Sequence, residues 1–229
     1  MKAEVPYAKQ TVCSPNPLAR FSHRTRHAVA LRLATETAPP RGALLDFGCG
    51  DGHFLRQCAL RRPDLRLFGF DPGWEGASSE GCVIVRSLAE LPDHQCDAIC
   101  AFEVLEHLFE SELDEFFSES RRLLRPGGRW ILSVPIIGGP TLLLKELNRC
   151  LLFSRWSEYT ARELWRASFL GIPAPRASDR KGSHKGFDFR QLEERLSREG
   201  KVLVRGRSPF PWAPWWCNSQ AFYVAELRA

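Results

Sequence analysis

The run Leu44-Leu45-Asp46-Phe47-Gly48-Cys49-Gly50-Asp51-Gly52 limits the fold more than any other part of the chain. An apolar stretch of strand length, from Ala43 to Phe47, feeds a turn with glycine at every second position. Helical spacing of Phe54, Leu55 and Cys58 follows within Asp51–Arg61. A buried strand that ends in glycines and opens a helix belongs to an α/β sheet, where ligands sit beyond the carboxyl ends of the strands. The pattern then repeats. Leu65–Phe70, Cys82–Val85, Cys96–Phe102 and Arg129–Val134 are short apolar strands, and Pro126-Gly127-Gly128 is a turn. Glu112–Leu124 is a helix with Leu113, Phe116, Phe117, Leu123 and Leu124 on one side. Such alternation predicts a mostly parallel sheet with helices on both faces.

The flanks are less regular. Residues 1–20, spotted with Pro6, Pro15 and Pro17, read as an extended arm, and residues 21–37 as a helix stopped by Pro39-Pro40. After Pro135, helices are expected at Thr141–Phe153 and Ala161–Leu170, followed by a polar loop. The sheet pattern resumes with a helix at Phe189–Glu199 and strands at Val202–Gly206 and Gln220–Leu227. One domain accounts for all 229 residues. It divides into an arm and helix (1–41), a cofactor-binding core (42–135), a helical cap insertion (136–185), and a C-terminal helix with the last two strands (186–229).

The net charge of +5 conceals an acidic middle: residues 1–41 carry +5, residues 42–125 carry −8, and residues 126–229 carry +8. That split argues against a uniformly basic nucleic-acid binder. No run of 18 apolar residues exists, which excludes a transmembrane helix. MKAEVPYAKQ lacks the apolar run of a signal peptide, so a cytoplasmic location with reduced thiols is expected. The eight cysteines include no CxxC pair, and no metal site is expected.

The glycine spacing is G-x-G-x-G, with His53 where a dinucleotide fingerprint has its third glycine. Asp46, two positions before Gly48, would repel a pyrophosphate and suits a cationic amine. Asp71 ends the second strand and can accept from both hydroxyls of a ribose. An adenosine joined to an amino acid satisfies both acids, which points to S-adenosylmethionine. The plainer alternative makes Asp46 a helix cap and Asp71 the first residue of a turn.

These residues resemble motif I of the class I S-adenosylmethionine-dependent methyltransferases. Cys96-Asp97-Ala98-Ile99-Cys100-Ala101-Phe102-Glu103-Val104-Leu105-Glu106-His107 is similar to that family's fourth strand and to the "VLEH" signature of its small-molecule branch, which includes quinone-biosynthesis O-methyltransferases. Leu123-Leu124-Arg125-Pro126-Gly127-Gly128 resembles the turn before its fifth strand. The resemblance implies a Rossmann-like sheet of seven strands, the last antiparallel. It also implies site roles: Asp46 and the backbone of Gly48, Cys49 and Gly50 at the methionine end, Asp71 and Pro72 at the ribose, Ser87 and Leu88 beside the adenine, and Phe102 and Glu103 beside the sulfonium. Ser87 stands where many relatives carry an aspartate, which leaves the contact to the adenine amine open.

Methyl transfer to a hydroxyl needs alignment and a base. His107 is the leading candidate and His184 the second; packing beside the cofactor and loop or cap chemistry, with Asp188 as N-cap, are their plainer roles. Phe21-Ser22-His23-Arg24-Thr25-Arg26-His27 puts cations at an expected helix start, where the dipole disfavours them. Arg24 and Arg26 are therefore expected either to meet an anion, the cofactor's carboxylate or an acidic substrate, or to lie on a solvated surface patch. The Trp212–Trp216 segment lies between the last two strands, on the ligand side of the implied fold. It reads either as an aromatic wall for an apolar or sugar substrate or as a satellite core. Thr141–Phe153 is amphipathic and basic, a pattern that packs on an enzyme or lies on a membrane surface. The expected activity is transfer to a small-molecule hydroxyl on a glycan, lipid-linked or natural-product intermediate, with an anionic acceptor favoured by the basic flanks. Two alternatives stand: a cofactor-binding partner protein without catalysis, and an RNA ribose methyltransferase. Base-directed enzymes are disfavoured, because Ala101-Phe102-Glu103-Val104 lacks their Pro-Pro signature and no Pro-Cys occurs.

Overall fold

Successive side chains of a strand point to opposite faces of the sheet, and in the central strands both faces are apolar. The computed structural model describes residues 17–73, 81–153, 156–176 and 184–228. Its strands are β1 (Ala43–Phe47), β2 (Arg66–Phe70), β3 (Cys82–Val85), β4 (Cys96–Phe102), β5 (Leu124–Pro135), β6 (Gly200–Ser208) and β7 (Gln220–Leu227). They form one sheet in the order β3-β2-β1-β4-β5-β7-β6. Strands β1 to β5 pair in parallel, and β7 runs antiparallel to both β5 and β6. This is the expected seven-stranded architecture. Its order reverses on either side of β1 and β4, so a crevice opens at their carboxyl ends.

The helices are α1 (Pro17–Thr37), α2 (His53–Arg61), α3 (Glu110–Leu123), α4 (Pro140–Phe153), α5 (Ala161–Phe169) and α6 (Phe189–Glu199). Leu31 and Ala34 of α1 and Leu55 and Cys58 of α2 bury one sheet face with Leu44, Ala98 and Cys100. Phe116 and Phe117 of α3 and Leu192 and Leu196 of α6 bury the other with Leu45, Ile99 and Trp130. Trp130 is fully buried and its indole N–H donates to Ser120 Oγ at 2.8 Å, so the largest core side chain leaves no polar atom unpaired.

Strands β3, β4 and β7 and helix α6 have the expected ends. Helix α1 does not. It begins at Pro17 rather than at residue 21, so Pro17 to Arg20 are helical and only residues 1–16 of the expected arm lie outside the described residues. Proline suits a first helical position, since it has no N–H to leave unpaired there. The earlier start places the His23–His27 cluster well inside the helix, and the dipole argument for its charge falls. The Pro126-Gly127-Gly128 turn survives as a bulge in β5, whose register against β4 slips between Cys96 and Ala98. Beyond β5, α4 and α5 pack on each other. The buried cysteines 49, 58, 82, 96 and 100 form no disulfide among the described residues; Cys13 lies outside them.

Gly69 in β2 is where the glycine turn meets the sheet. A Cβ there would lie 2.6 Å from Cys49 Sγ and 2.9 Å from Leu55 Cδ1. Gly69→Ala is expected to lower stability by roughly 1–3 kcal/mol, the usual cost of overpacking a filled core. Urea denaturation monitored by tryptophan fluorescence measures it; an unchanged midpoint would show that this contact is slack.

Candidate functional site

The carboxyl ends of β1, β2, β4 and β5 converge, and the first residue of β7, Gln220, pairs there with Pro135. At the end of β1 the chain turns sharply. Gly48 has φ 79°, and a Cβ on it would strike Val104 Cγ2 at 2.6 Å, so the turn needs glycine on both counts. Gly50 also has positive φ, but a Cβ there would meet nothing within 4 Å and would point into open space. The N–H groups of Gly48 and Cys49 donate to Phe70 O at 2.7 and 3.1 Å, and Gly50 N–H donates to Asp71 Oδ2 at 2.9 Å. The turn is thereby stitched to the end of β2. Asp71 Oδ1 accepts from Gly73 N–H at 2.9 Å, which leaves each oxygen with a lone pair to spare. Pro72 follows, exposed.

Asp46 is 4% exposed, and no described residue donates to its carboxylate. Desolvation, and then the charge of Asp71, push its pKa up to about 8. It does not cap α2, whose N-cap position is Gly52. Ser87 and Leu88 lie just past β3 as expected, but the Ser87 hydroxyl accepts Ala89 N–H at 3.3 Å within a capping box with Glu90. Phe102 packs edge-on against Phe54 with ring centroids 4.9 Å apart.

Glu103 follows Phe102 in the left-handed region, at φ 59°. A side chain rarely takes this conformation, and here it directs Glu103 toward α1. Arg26 Nη1 donates to Glu103 Oε1 at 2.6 Å, and Arg26 also bonds His23. The anion that Arg26 meets is thus a protein carboxylate. Glu103 is raised above its ordinary pKa by desolvation, against the pull of Arg26 and Lys145.

The short turn Leu105–His107 brings in two more groups. Glu106 is 1% exposed, and neither carboxylate oxygen has a hydrogen-bond partner among the described residues. Desolvation first, then Glu103, push it to about 8. The His107 and His184 rings meet edge to face, with centroids 4.7 Å apart. The sequence thus placed both histidines in one site from segments 77 positions apart. Asp188 is the N-cap of α6, as its plainer role required. Lys145 and His184 are reached by solvent, yet protein crowds around them, as for groups lining a concave surface. Desolvation and Arg26 lower Lys145 to about 8. Desolvation, then His107, Lys145 and Arg26, lower His184 to about 4. Glu106, His107 and His184 hold ligand-type atoms within 4.8 Å of one another. The two cations that depress His184 also oppose a metal ion, so the cluster suits proton transfer better than cation binding.

Lys145, Glu106 and Gln220 were not legible as site residues. Gln220 is fully buried, donates to Ser133 Oγ at 3.2 Å, and leaves its Oε1 without a partner. Only the unusual acid pair in Glu103-Val104-Leu105-Glu106 could have flagged Glu106. In the aromatic segment, Trp215 packs on Phe189, while Trp212 is 84% exposed. Asn218 braces it by accepting Phe210 N–H at 2.8 Å and donating to Phe210 O at 2.9 Å.

The strand order and the antiparallel β7 define a class I methyltransferase fold. A family model described as a methyltransferase domain matches residues 19–198, and the chain belongs to that family. It is 45% identical over 119 residues to a probable S-adenosylmethionine-dependent methyltransferase of Mycolicibacterium smegmatis. That match covers 48% of this chain and 44% of the relative; the chain spans about half the length of the curated relatives it matches. Among solved structures, a Pyrococcus horikoshii protein aligns over 97% of this chain and 96% of its own, with TM-score 0.61 and 18% identity. The 1,6-didemethyltoxoflavin-N1-methyltransferase of Burkholderia thailandensis, bound to its substrate and S-adenosylhomocysteine, aligns over 89% of this chain and 79% of its own, with TM-score 0.57 and 17% identity. At such identities these two show the fold.

Glu106 yields a pH prediction. Its ordinary pKa is 4.5, and in the fold it is about 8. Between those values the folded state holds the extra proton, so this group's contribution to stability falls as pH rises across the window. Glu106→Gln is expected to melt above the parent at pH 8, by about 2–4 °C for each kcal/mol regained, with the gap closing toward pH 5. Thermal melts at both pH values test it; a variant less stable at pH 8 would show that the carboxylate has a partner.

Proposed function

We propose that this chain transfers a methyl group from S-adenosylmethionine to a hydroxyl oxygen of a small-molecule acceptor. The observation that carries the reading is the pair Asp46 and Asp71 on either side of the glycine turn. Asp46 is buried without a donor, as a site awaiting a cationic amine would be. Asp71 is held against the turn by Gly50 N–H and keeps lone pairs for a ribose diol. The open space at Gly50 allows a ligand to approach the backbone. Asp46, Gly48, Cys49 and Gly50 would hold the methionine end, Asp71 and Pro72 the ribose, Leu88 the adenine edge, and Phe102 and Glu103 the sulfonium. The name of the Mycolicibacterium relative supports the same cofactor.

Bound there, the cofactor supplies an electrophilic methyl group on a sulfonium that leaves as a neutral thioether. The chain's own part is to orient the acceptor and take its proton. His107 is the proposed base, with His184 edge-on against it. His184 stays neutral at pH 7, because desolvation and nearby positive charge disfavour its imidazolium. It therefore adds no charge of its own beside a sulfonium. Lys145 makes the cleft favourable to an acceptor that carries an anionic group, consistent with the basic flanks.

Two measurements test this. S-adenosylmethionine is expected to bind at micromolar concentration and NAD not at all, and Asp71→Ala to weaken binding by roughly 1–3 kcal/mol, the usual value of hydrogen bonds to a charged group. Calorimetry giving the reverse preference, or an unchanged affinity, would overturn the cofactor site. With an acceptor in hand, His107→Ala is expected to cut turnover by about 10²-fold at unchanged cofactor affinity; near-normal turnover would reduce His107 to a packing residue.

A further inference from the structure

Helix α5 is mounted with its large apolar side chains outward. Ala167 and Ser168 are buried, so the helix rests on small residues. Arg162, Trp165, Arg166 and Phe169 recur at i, i+3, i+4 and i+7 and share one face. All four are exposed, Trp165 at 54% and Phe169 at 60%. The exposed run continues through Leu170 and Ile172. A helix of a globular enzyme normally does the opposite. The two arginines have no ion-pair partner among the described residues. The one acid of the helix, Glu163, is turned away; it pairs with Lys185 at 2.8 Å and closes the Thr160 capping box.

Neighbouring elements extend the apolar character. Helix α4 packs on α5 and exposes Leu144 and Leu147. Gly139, at the head of α4, donates to Ala167 O at 3.0 Å and abuts Trp216, which ties the aromatic segment to the same cap. Trp212 in that segment and Trp156 between the two helices are almost fully exposed.

We propose that the α5 face docks this chain on an anionic phospholipid surface. Tryptophan, phenylalanine and arginine on one helix face, with no acid among them, are what the polar–apolar boundary of a bilayer accepts. The unpaired guanidinium groups meet lipid phosphates, and Trp165 and Phe169 enter the headgroup layer. Of the two roles the sequence left open for α4, packing on the enzyme fits Leu142 and Glu146, which turn inward; α5 presents the unpaired cations. The proposal does not depend on the identity of the methyl acceptor.

The test is co-sedimentation of the full chain with vesicles of phosphatidylcholine alone and of phosphatidylcholine with about 30% phosphatidylglycerol. Binding is expected only to the anionic vesicles, and it should fall steeply between 0.1 and 0.5 M salt, roughly as two to three screened contacts require. The double variants W165A/F169A and R162Q/R166Q are each expected to lose about ten-fold or more in partitioning. S-adenosylmethionine affinity, measured on the same samples, reports folding and tests the cofactor reading separately. Absent binding, equal binding to neutral vesicles, or unaltered partitioning of well-folded variants would overturn the proposal. So would sedimentation showing that this face closes a dimer which W165A/F169A dissolves.

Discussion

A carboxylate buried at the head of the sheet, with no donor among the described residues, is the constraint around which the rest of the site is arranged. Asp46 lies in β1, the strand at the reversal of the sheet order, with Gly69 and Cys100 as its register neighbours. Those neighbours are small, so the carboxylate occupies the central strand without a clash, and neither donates a hydrogen bond to it. Asp71, the nearest charged group with a marked effect, makes ionisation harder still. A fold tolerates such a group when function calls for it, because a buried unpaired charge is among the costliest features a core can hold. The tight glycine turn, its stitching to Phe70 O and Asp71, and the exclusion of any side chain at Gly69 all serve to place this one carboxylate beside open space.

A second layer of charge lies across the crevice. Glu103 in its left-handed conformation, Glu106 without a partner among the described residues, and the bases Arg26, Lys145 and His184 come from α1, the turn after β4, α4 and the segment before α6. The pKa values of Glu103 and Glu106 rise and those of Lys145 and His184 fall, all in the directions that remove charge. A crevice in that condition is poised to accept ligands that bring charge of their own. The acidic middle of the sequence now has a structural counterpart, since Asp46, Asp71, Glu103 and Glu106 all lie on the carboxyl edge of the sheet.

The sheet was legible because burial on both faces writes short apolar runs that no other element writes as well. Cys82–Val85, Cys96–Phe102 and Gln220–Leu227 stand where the sequence placed them, as does helix Phe189–Glu199. The glycine turn and its two acids were legible because they are local, and their spacing states the geometry directly. The start of α1 was not, because Pro17 signals a break when read forward and a first turn when the helix behind it is known. The Arg26–Glu103 pair joins residues 77 apart, and no local pattern marks either as a partner of the other. Lys145 reads as one more cation on an amphipathic helix until the fold carries it to the crevice. Glu106 stands in a motif with no signal of its own, since its burial, which makes it unusual, is a property of packing.

The account stands on Asp46 being protonated in the free chain and ionised against a bound amine. Calorimetric titration of S-adenosylmethionine at pH 7, repeated in buffers of different ionisation enthalpy, counts the protons exchanged on binding. A pKa of about 8 in the free chain predicts release of roughly 0.5–1 proton per cofactor, lost in Asp46→Asn. Heats that do not change with buffer, or a release that persists in Asp46→Asn, would contradict it.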